Sequence, residues 1–176
     1  MNNFKVIIVE DVPLELKGTE GIIRNDIPEA EVIGTANNEA EYWRIIRDNQ
    51  PDLVLLDLGL GGSTTVGVEI CRHTKESYPA VKVLIFTGEI LNEKLWVDVL
   101  DAGADGIILK SGELLTRGDV RSVMEGKTMV FNEPILRRIV ERFKLSVNRE
   151  LTNQEAILDY EIDEYDERFL RHLALG

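Results

Sequence analysis

Five short apolar runs, each followed by a stretch with helical spacing, set the strongest limit on what this chain can fold into. The runs are "FKVIIVE" (Phe4–Glu10), "EVIGTA" (Glu31–Ala36), "LVLLD" (Leu53–Asp57), "VKVLIFT" (Val81–Thr87) and "GIILK" (Gly106–Lys110). They are too short for helices and apolar at consecutive positions, which is the pattern of a strand buried on both faces. Between them, Pro13 suits the first turn of a helix reaching about Asp26, with apolar residues at Leu14, Leu16, Ile22 and Ile23. Asn37 or Asn38 can cap a second helix that stops near Asn49, ahead of Pro51. Further helices are expected from about Gly67 to Tyr78, from about Leu91 to Ala102, and from a Ser111 cap to about Glu125. Strict β–α alternation implies an α/β fold, a doubly wound parallel sheet with helices on both faces.

In such a sheet, ligands sit beyond the carboxyl ends of the strands. What those ends carry is therefore the chemical content of the sequence. The first run ends in Glu10 and Asp11, the third in Asp57, the fourth in Thr87 and the fifth in Lys110. Three carboxylates held close together repel, and one would stay protonated without compensation. Mg²⁺ relieves this, because it takes oxygen ligands from one or two carboxylates together with waters and a phosphate oxygen. Glu10, Asp11 and Asp57 are the candidate metal ligands, with the Gly59 carbonyl close enough to join them. Lys110 can meet a phosphoryl oxygen and Thr87 can donate to another. With its charge screened, Asp57 is a plausible nucleophile toward phosphorus.

The segments "VED" (Val9–Asp11), "LLDLGL" (Leu55–Leu60), "IFTG" (Ile85–Gly88) and "GADGIILKS" (Gly103–Ser111), in that order and each at a strand end, resemble a response-regulator receiver domain of two-component signalling. The resemblance implies a flavodoxin-like, five-stranded parallel sheet of order 2-1-3-4-5. It implies that Asp57 accepts a phosphoryl group from a histidine kinase or small phosphodonor, with Mg²⁺ on Glu10, Asp11, Asp57 and Gly59. Thr87 is then the switch hydroxyl and Lys110 the phosphate-binding ammonium. It implies catalysis of the domain's own phosphorylation and slow dephosphorylation, not metabolic turnover. Three positions depart from the family pattern. Ile107 stands where an aromatic switch residue is usual, Gly61 where a proline is common, and "GGSTTVG" is longer than usual before Gly67. These departures motivate a second reading, a phosphorylation-independent dimerisation or docking module. A third, an aspartyl-nucleophile hydrolase, needs an acid two residues after the nucleophile, where this chain has Gly59.

The expected domain plan is a receiver at 1–126, a linker helix at 127–150, and an acidic segment with the first helix of a shortened helix-turn-helix output domain at 151–176. The linker resembles that of NarL/LuxR-type regulators, with Ile135, Ile139, Val140 and Phe143 at helical spacing and Arg137, Arg138, Arg142 and Lys144 opposite. In the final helix Asp163 is the expected cap, Phe169, Leu170 and Leu173 the apolar face, and Gly176 the terminating glycine. DNA contact is expected only through a complete output domain, and a homodimer is the expected assembly. The net charge of −12 argues against a broad nucleic-acid or anionic-membrane surface. No run approaches the roughly 20 apolar residues that span a bilayer. The lone Cys71 precludes an internal disulfide and suits a reducing, cytoplasmic setting. Cys71, Trp43 and Trp96 read as packing residues, and His73 and His172 stand alone without metal-ligand spacing.

Overall fold

A computed structural model describes residues 3–88, 93–110, 115–127 and 130–131. The order is β1 (Phe4–Val9), α1 (Pro13–Asp26), β2 (Ala30–Ala36), α2 (Glu39–Asp48), β3 (Leu53–Leu56), a single 3-10 turn (Leu60–Gly62), α3 (Thr64–Ser77), β4 (Lys82–Thr87), α4 (Glu93–Asp101), β5 (Gly106–Leu109), α5 (Arg117–Met124) and β6 (Val130–Phe131). Neighbouring strands pair in parallel in the order β2-β1-β3-β4-β5-β6. The expected five-strand order is present, and a two-residue sixth strand extends it.

The unbroken apolar runs of β3 and β5, and of β1 and β4 past Lys5 and Lys82, follow from burial on both faces. Along β1, Ile7 and Val9 enter one core while Phe4, Val6 and Ile8 enter the other. The same alternation divides Val54 and Leu56 from Leu53 and Leu55, and Val83 and Ile85 from Leu84 and Phe86. The first core is closed by Tyr42 and Ile46 of α2, Ile70 and Cys71 of α3, and Trp96 and Leu100 of α4. The second is closed by Ile23 of α1 and Val120 and Val123 of α5. Trp43 packs at the margin of the first core. Burial pushes the Cys71 thiol up to about 12, so it stays protonated as a small core side chain. Leu14 does not join the α1 stripe: it is 80% exposed.

Helix starts follow local capping. Asn38 caps α2, accepting from the Glu41 N–H at 2.9 Å. α3 begins at Thr64 rather than Gly67, so part of the long loop is helical. α5 begins at Arg117, much later than a Ser111 cap would place it. Thr116 is its cap. The Thr116 hydroxyl accepts from the Asp119 N–H at 3.2 Å, and Asp119 accepts from the Thr116 N–H at 3.0 Å. This reciprocal box satisfies two amides that the helix itself leaves unpaired. Thr116→Ala is expected to cost about 1 kcal/mol, read as a lower urea midpoint with an unchanged slope.

β6 pairs with β5 from residues assigned by sequence to the linker, so the sheet reaches beyond residue 126. Ser111, His172 and the expected segment at 151–176, with Asp163, Phe169, Leu170, Leu173 and Gly176, lie outside the described residues, as do Ile135–Lys144. Among the described residues no helix is long and apolar enough to cross a membrane.

Candidate functional site

The sheet order places β1, β3, β4 and β5 side by side, so their carboxyl ends form one edge. Glu10, immediately after β1, is fixed by its own N–H to the Ala36 carbonyl at 2.9 Å. Asp57, immediately after β3, donates its N–H to the Val9 carbonyl at 2.9 Å. Backbone bonds to neighbouring strands thus set both acids before any side-chain contact is made. Carboxylate oxygens of Glu10, Asp11 and Asp57 lie within 4.8 Å of one another.

Lys110 enters this cluster from the end of β5. Its ammonium donates to Glu10 Oε2 and to Glu15 Oε2, the latter at 2.6 Å, and stands 3.6 Å from Asp57 Oδ1. It also lies 5.4 Å from the centre of the Phe86 ring, within cation–π range. Burial alone pulls the Lys110 ammonium down, but the hydrogen bonds to Glu10 and Glu15 and the charge of Asp57 outweigh it and leave it raised. Burial is also the main force on Glu10, and it raises that carboxyl despite hydrogen bonds from Lys110 and the Val12 N–H; the charge of Asp57 pushes the same way.

Asp11 is less buried. Its Oδ2 accepts the Gly61 N–H at 2.8 Å. That bond needs Gly61 twice: its φ of +61° suits glycine, and a proline there would have no N–H to give. Gly61 lies in the 3-10 turn closed by Gly62 N–H to the Gly59 carbonyl at 3.0 Å. The Gly59 carbonyl keeps a second lone pair. Thr87 is fully buried at the end of β4, in register with Leu109, and its carbonyl accepts the Lys110 N–H at 2.8 Å.

The donor set fits a hard divalent cation. It is all oxygen, and Asp57 Oδ1 is buried without a hydrogen-bond partner among the described residues, an arrangement that calls for an ion or a ligand. Glu15, Phe86 and the Gly61 amide were not found from sequence. Only Glu15 carried a signal there: an acid in the first turn of a helix that starts beside the site.

The model of the response regulator receiver domain family matches residues 6–116, well over half of the chain. The chain belongs to that family. Its receiver domain is 31% identical over 130 residues to the DNA-binding transcriptional activator DevR/DosR of Mycobacterium tuberculosis, covering 73% of this chain and 58% of that protein. It is 32% identical over 128 residues to the oxygen regulatory protein NreC of Staphylococcus epidermidis, covering 72% of this chain and 57% of that one. The chain therefore spans less than two thirds of these relatives. Among solved structures, a LuxR-family two-component response regulator from Aurantimonas superposes with a TM-score of 0.70 at 27% identity, over 80% of this chain and 98% of that one. The receiver domain of RcsB from Salmonella enterica, at 22% identity and a TM-score of 0.66 over 77% of this chain and 98% of that one, shares the fold. Residues 130–176 match a second model, described as a family of unknown function (DUF5932). That match contains both β6 and the segment compared above with a helix-turn-helix.

His73 is half-exposed beside Glu69, and Trp96 is buried. Ile107 is fully buried in β5 and stands in register with Phe131 of β6. The Phe131 ring lies 6.0 Å from that of Trp96, so an aromatic pair adjoins the position where the family pattern carries a ring.

Proposed function

We propose that this receiver is a phosphorylation-dependent switch in which Asp57 is the phosphoryl acceptor. The observation that supports it most is a buried Asp57 Oδ1 with no hydrogen-bond partner among the described residues and a lysine 3.6 Å away, inside a three-carboxylate cluster. An Asp57 carboxylate oxygen attacks the phosphorus of a phosphohistidine or acyl phosphate. The new O–P bond forms as the donor's P–N or P–O bond breaks, and the donor leaves with that electron pair. Glu10, Asp11, Asp57 and the Gly59 carbonyl hold Mg²⁺, which when bound neutralises charge on the transferring group. Lys110 supplies a second positive charge to a phosphoryl oxygen, and the Thr87 hydroxyl donates to another. Positioning and charge stabilisation are what such a transfer asks of a protein. The bound phosphoryl group adds about −1.5 to −2 units of charge, which biases the β4–β5 face toward a different partner, a second copy of the chain.

In this reading the donor is a histidine kinase or small phosphodonor, the setting is cytoplasmic, and slow self-dephosphorylation resets the switch. The names of the relatives support a transcriptional output, reached through residues 127–176 and a DNA-binding region. The test is intact mass after incubation with acetyl phosphate and Mg²⁺, followed by sizing. One phosphoryl adduct is expected on the wild type and none on Asp57→Asn or in excess chelator. An adduct on Asp57→Asn would move the acceptor elsewhere. Identical sizing profiles with and without adduct would favour the phosphorylation-independent docking module.

A further inference from the structure

We propose that Glu15 is a positioning residue that holds Lys110 in the unphosphorylated protein and is exchanged for the phosphoryl oxygens; this rests on Asp57 being the acceptor. Lys110 has three ammonium donors. Two are committed, to Glu10 and to Glu15, while Asp57 at 3.6 Å is beyond a hydrogen bond. The third donor faces a group built on Asp57, but at 3.6 Å the ammonium must move to reach it, and that movement stretches one of the two bonds already made.

Burial decides which. The Glu10 side chain is only 2% exposed and also takes the Val12 N–H, so stripping it of its cation leaves a charge with no solvent. The Glu15 side chain is 47% exposed, and water replaces the ammonium there at little cost. Glu15 is in the first turn of α1, where the positive end of the helix favours a carboxylate whether or not it holds Lys110. The Lys110 ammonium meanwhile lies 5.4 Å from the centre of the Phe86 ring, a contact that keeps it beside the site when the Glu15 bond opens. The Glu15 bond is thus strong enough to set the resting position and weak enough to yield. It also opposes phosphorylation, because drawing the ammonium toward an adduct on Asp57 strains it.

Removing the charge of Glu15 should therefore speed acceptance. The decisive measurement is a double-mutant cycle on Glu15→Gln and Lys110→Met, run with acetyl phosphate and Mg²⁺ and read as the rate of adduct formation by intact mass. About 0.15 M salt weakens long-range repulsion between Glu15 and the anionic donor, and the Lys110→Met background reads what remains at short range. Glu15→Gln is expected to raise the rate about two- to fivefold in the wild-type background, the range an exposed ion pair corresponds to. In the Lys110→Met background it is expected to change nothing. The same cycle on the affinity for beryllium trifluoride, a phosphoryl mimic, gives an equilibrium reading where lysine variants react too slowly. Glu15→Ala serves as a second charge-removing variant. An equal gain in both backgrounds would mean that Glu15 acts on the donor and not through Lys110, and would overturn the proposal. An unchanged Glu15→Gln rate, with a normal adduct on the wild type, would overturn it while leaving the acceptor reading intact. The absence of adduct on every variant would overturn the acceptor reading itself, and the proposal with it.

Discussion

Lys110→Met is expected to lower the unfolding free energy by about 2–3 kcal/mol at pH 7 in the presence of chelator. Methionine keeps an unbranched side chain of similar length, so the loss isolates the ammonium, its contact with the Phe86 ring included. That ammonium bonds Glu10 and Glu15 and faces Asp57. Glu15 contributes little of the loss, because water solvates it. Glu10 contributes most, as a buried carboxylate left without its cation and still facing the Asp57 charge. Protonation caps the penalty: holding one ordinary carboxyl neutral at pH 7 costs about 3–4 kcal/mol. The sign with pH follows. A carboxyl raised in the fold binds its proton more tightly folded than unfolded, so the variant regains stability as pH falls toward the usual carboxylate range. Mg²⁺ should also restore the variant, since a ligand that binds only the folded state adds stability by mass action. Urea midpoints at pH 7 and pH 5, with chelator and with Mg²⁺, check all of this. Equal midpoints for wild type and Lys110→Met in chelator would show that Lys110 does not hold the carboxylates.

The apolar runs revealed the sheet most plainly at β3 and β5, where burial on both faces leaves no polar position. Val54 and Leu56 face one core and Leu53 and Leu55 the other, so the run had to be unbroken. The same logic placed the site. If a strand is a buried rail, the polar residue that ends its apolar run marks the edge, and Glu10, Asp57 and Lys110 do mark it. β6 was not legible, since two residues have no period and Val130–Phe131 is a strand only because β5 offers it an edge. The start of α5 was misread because Ser111 and Thr116 are both good caps in isolation. Asp119, in capping-box spacing with Thr116, is the residue that distinguishes them. Glu15 was missed for a different reason: its bond to Lys110 joins positions 95 residues apart, and no local pattern encodes which first-turn acid will meet which lysine. The Gly61 amide on Asp11 is similar, because a missing proline reads as a loss until the freed N–H is seen to have a partner.

Gly67→Ala is expected to reduce both stability and the rate of phosphoryl acceptance, against the usual rule for helices. Gly67 lies in the first turns of α3, where alanine normally gains about 1 kcal/mol over glycine. Here an added Cβ would sit 2.7 Å from Leu58 Cα, 2.9 Å from the Leu58 carbonyl oxygen and 3.0 Å from that of Asp57. All three are backbone atoms, so no side chain can turn aside, and either the helix or the segment after β3 must move. Overpacking of this kind costs about 1–3 kcal/mol, enough to cancel the helical gain and leave a net loss. The segment that moves carries Asp57, and an ångström of misplacement at a reacting atom can cost about a hundredfold in rate. The adduct rate is expected to fall at least about tenfold although every site side chain is retained. Gly18→Ala, in the interior of α1, is the matched control: nothing lies within 4 Å of its added Cβ, so it should gain about 0.5–1 kcal/mol and leave the rate unchanged. Opposite signs for the two substitutions in urea, with only Gly67→Ala slow in the adduct assay, would place the constraint in the contact between α3 and the backbone of Asp57. Two gains of similar size would show that α3 has room to shift and that Asp57 does not depend on it.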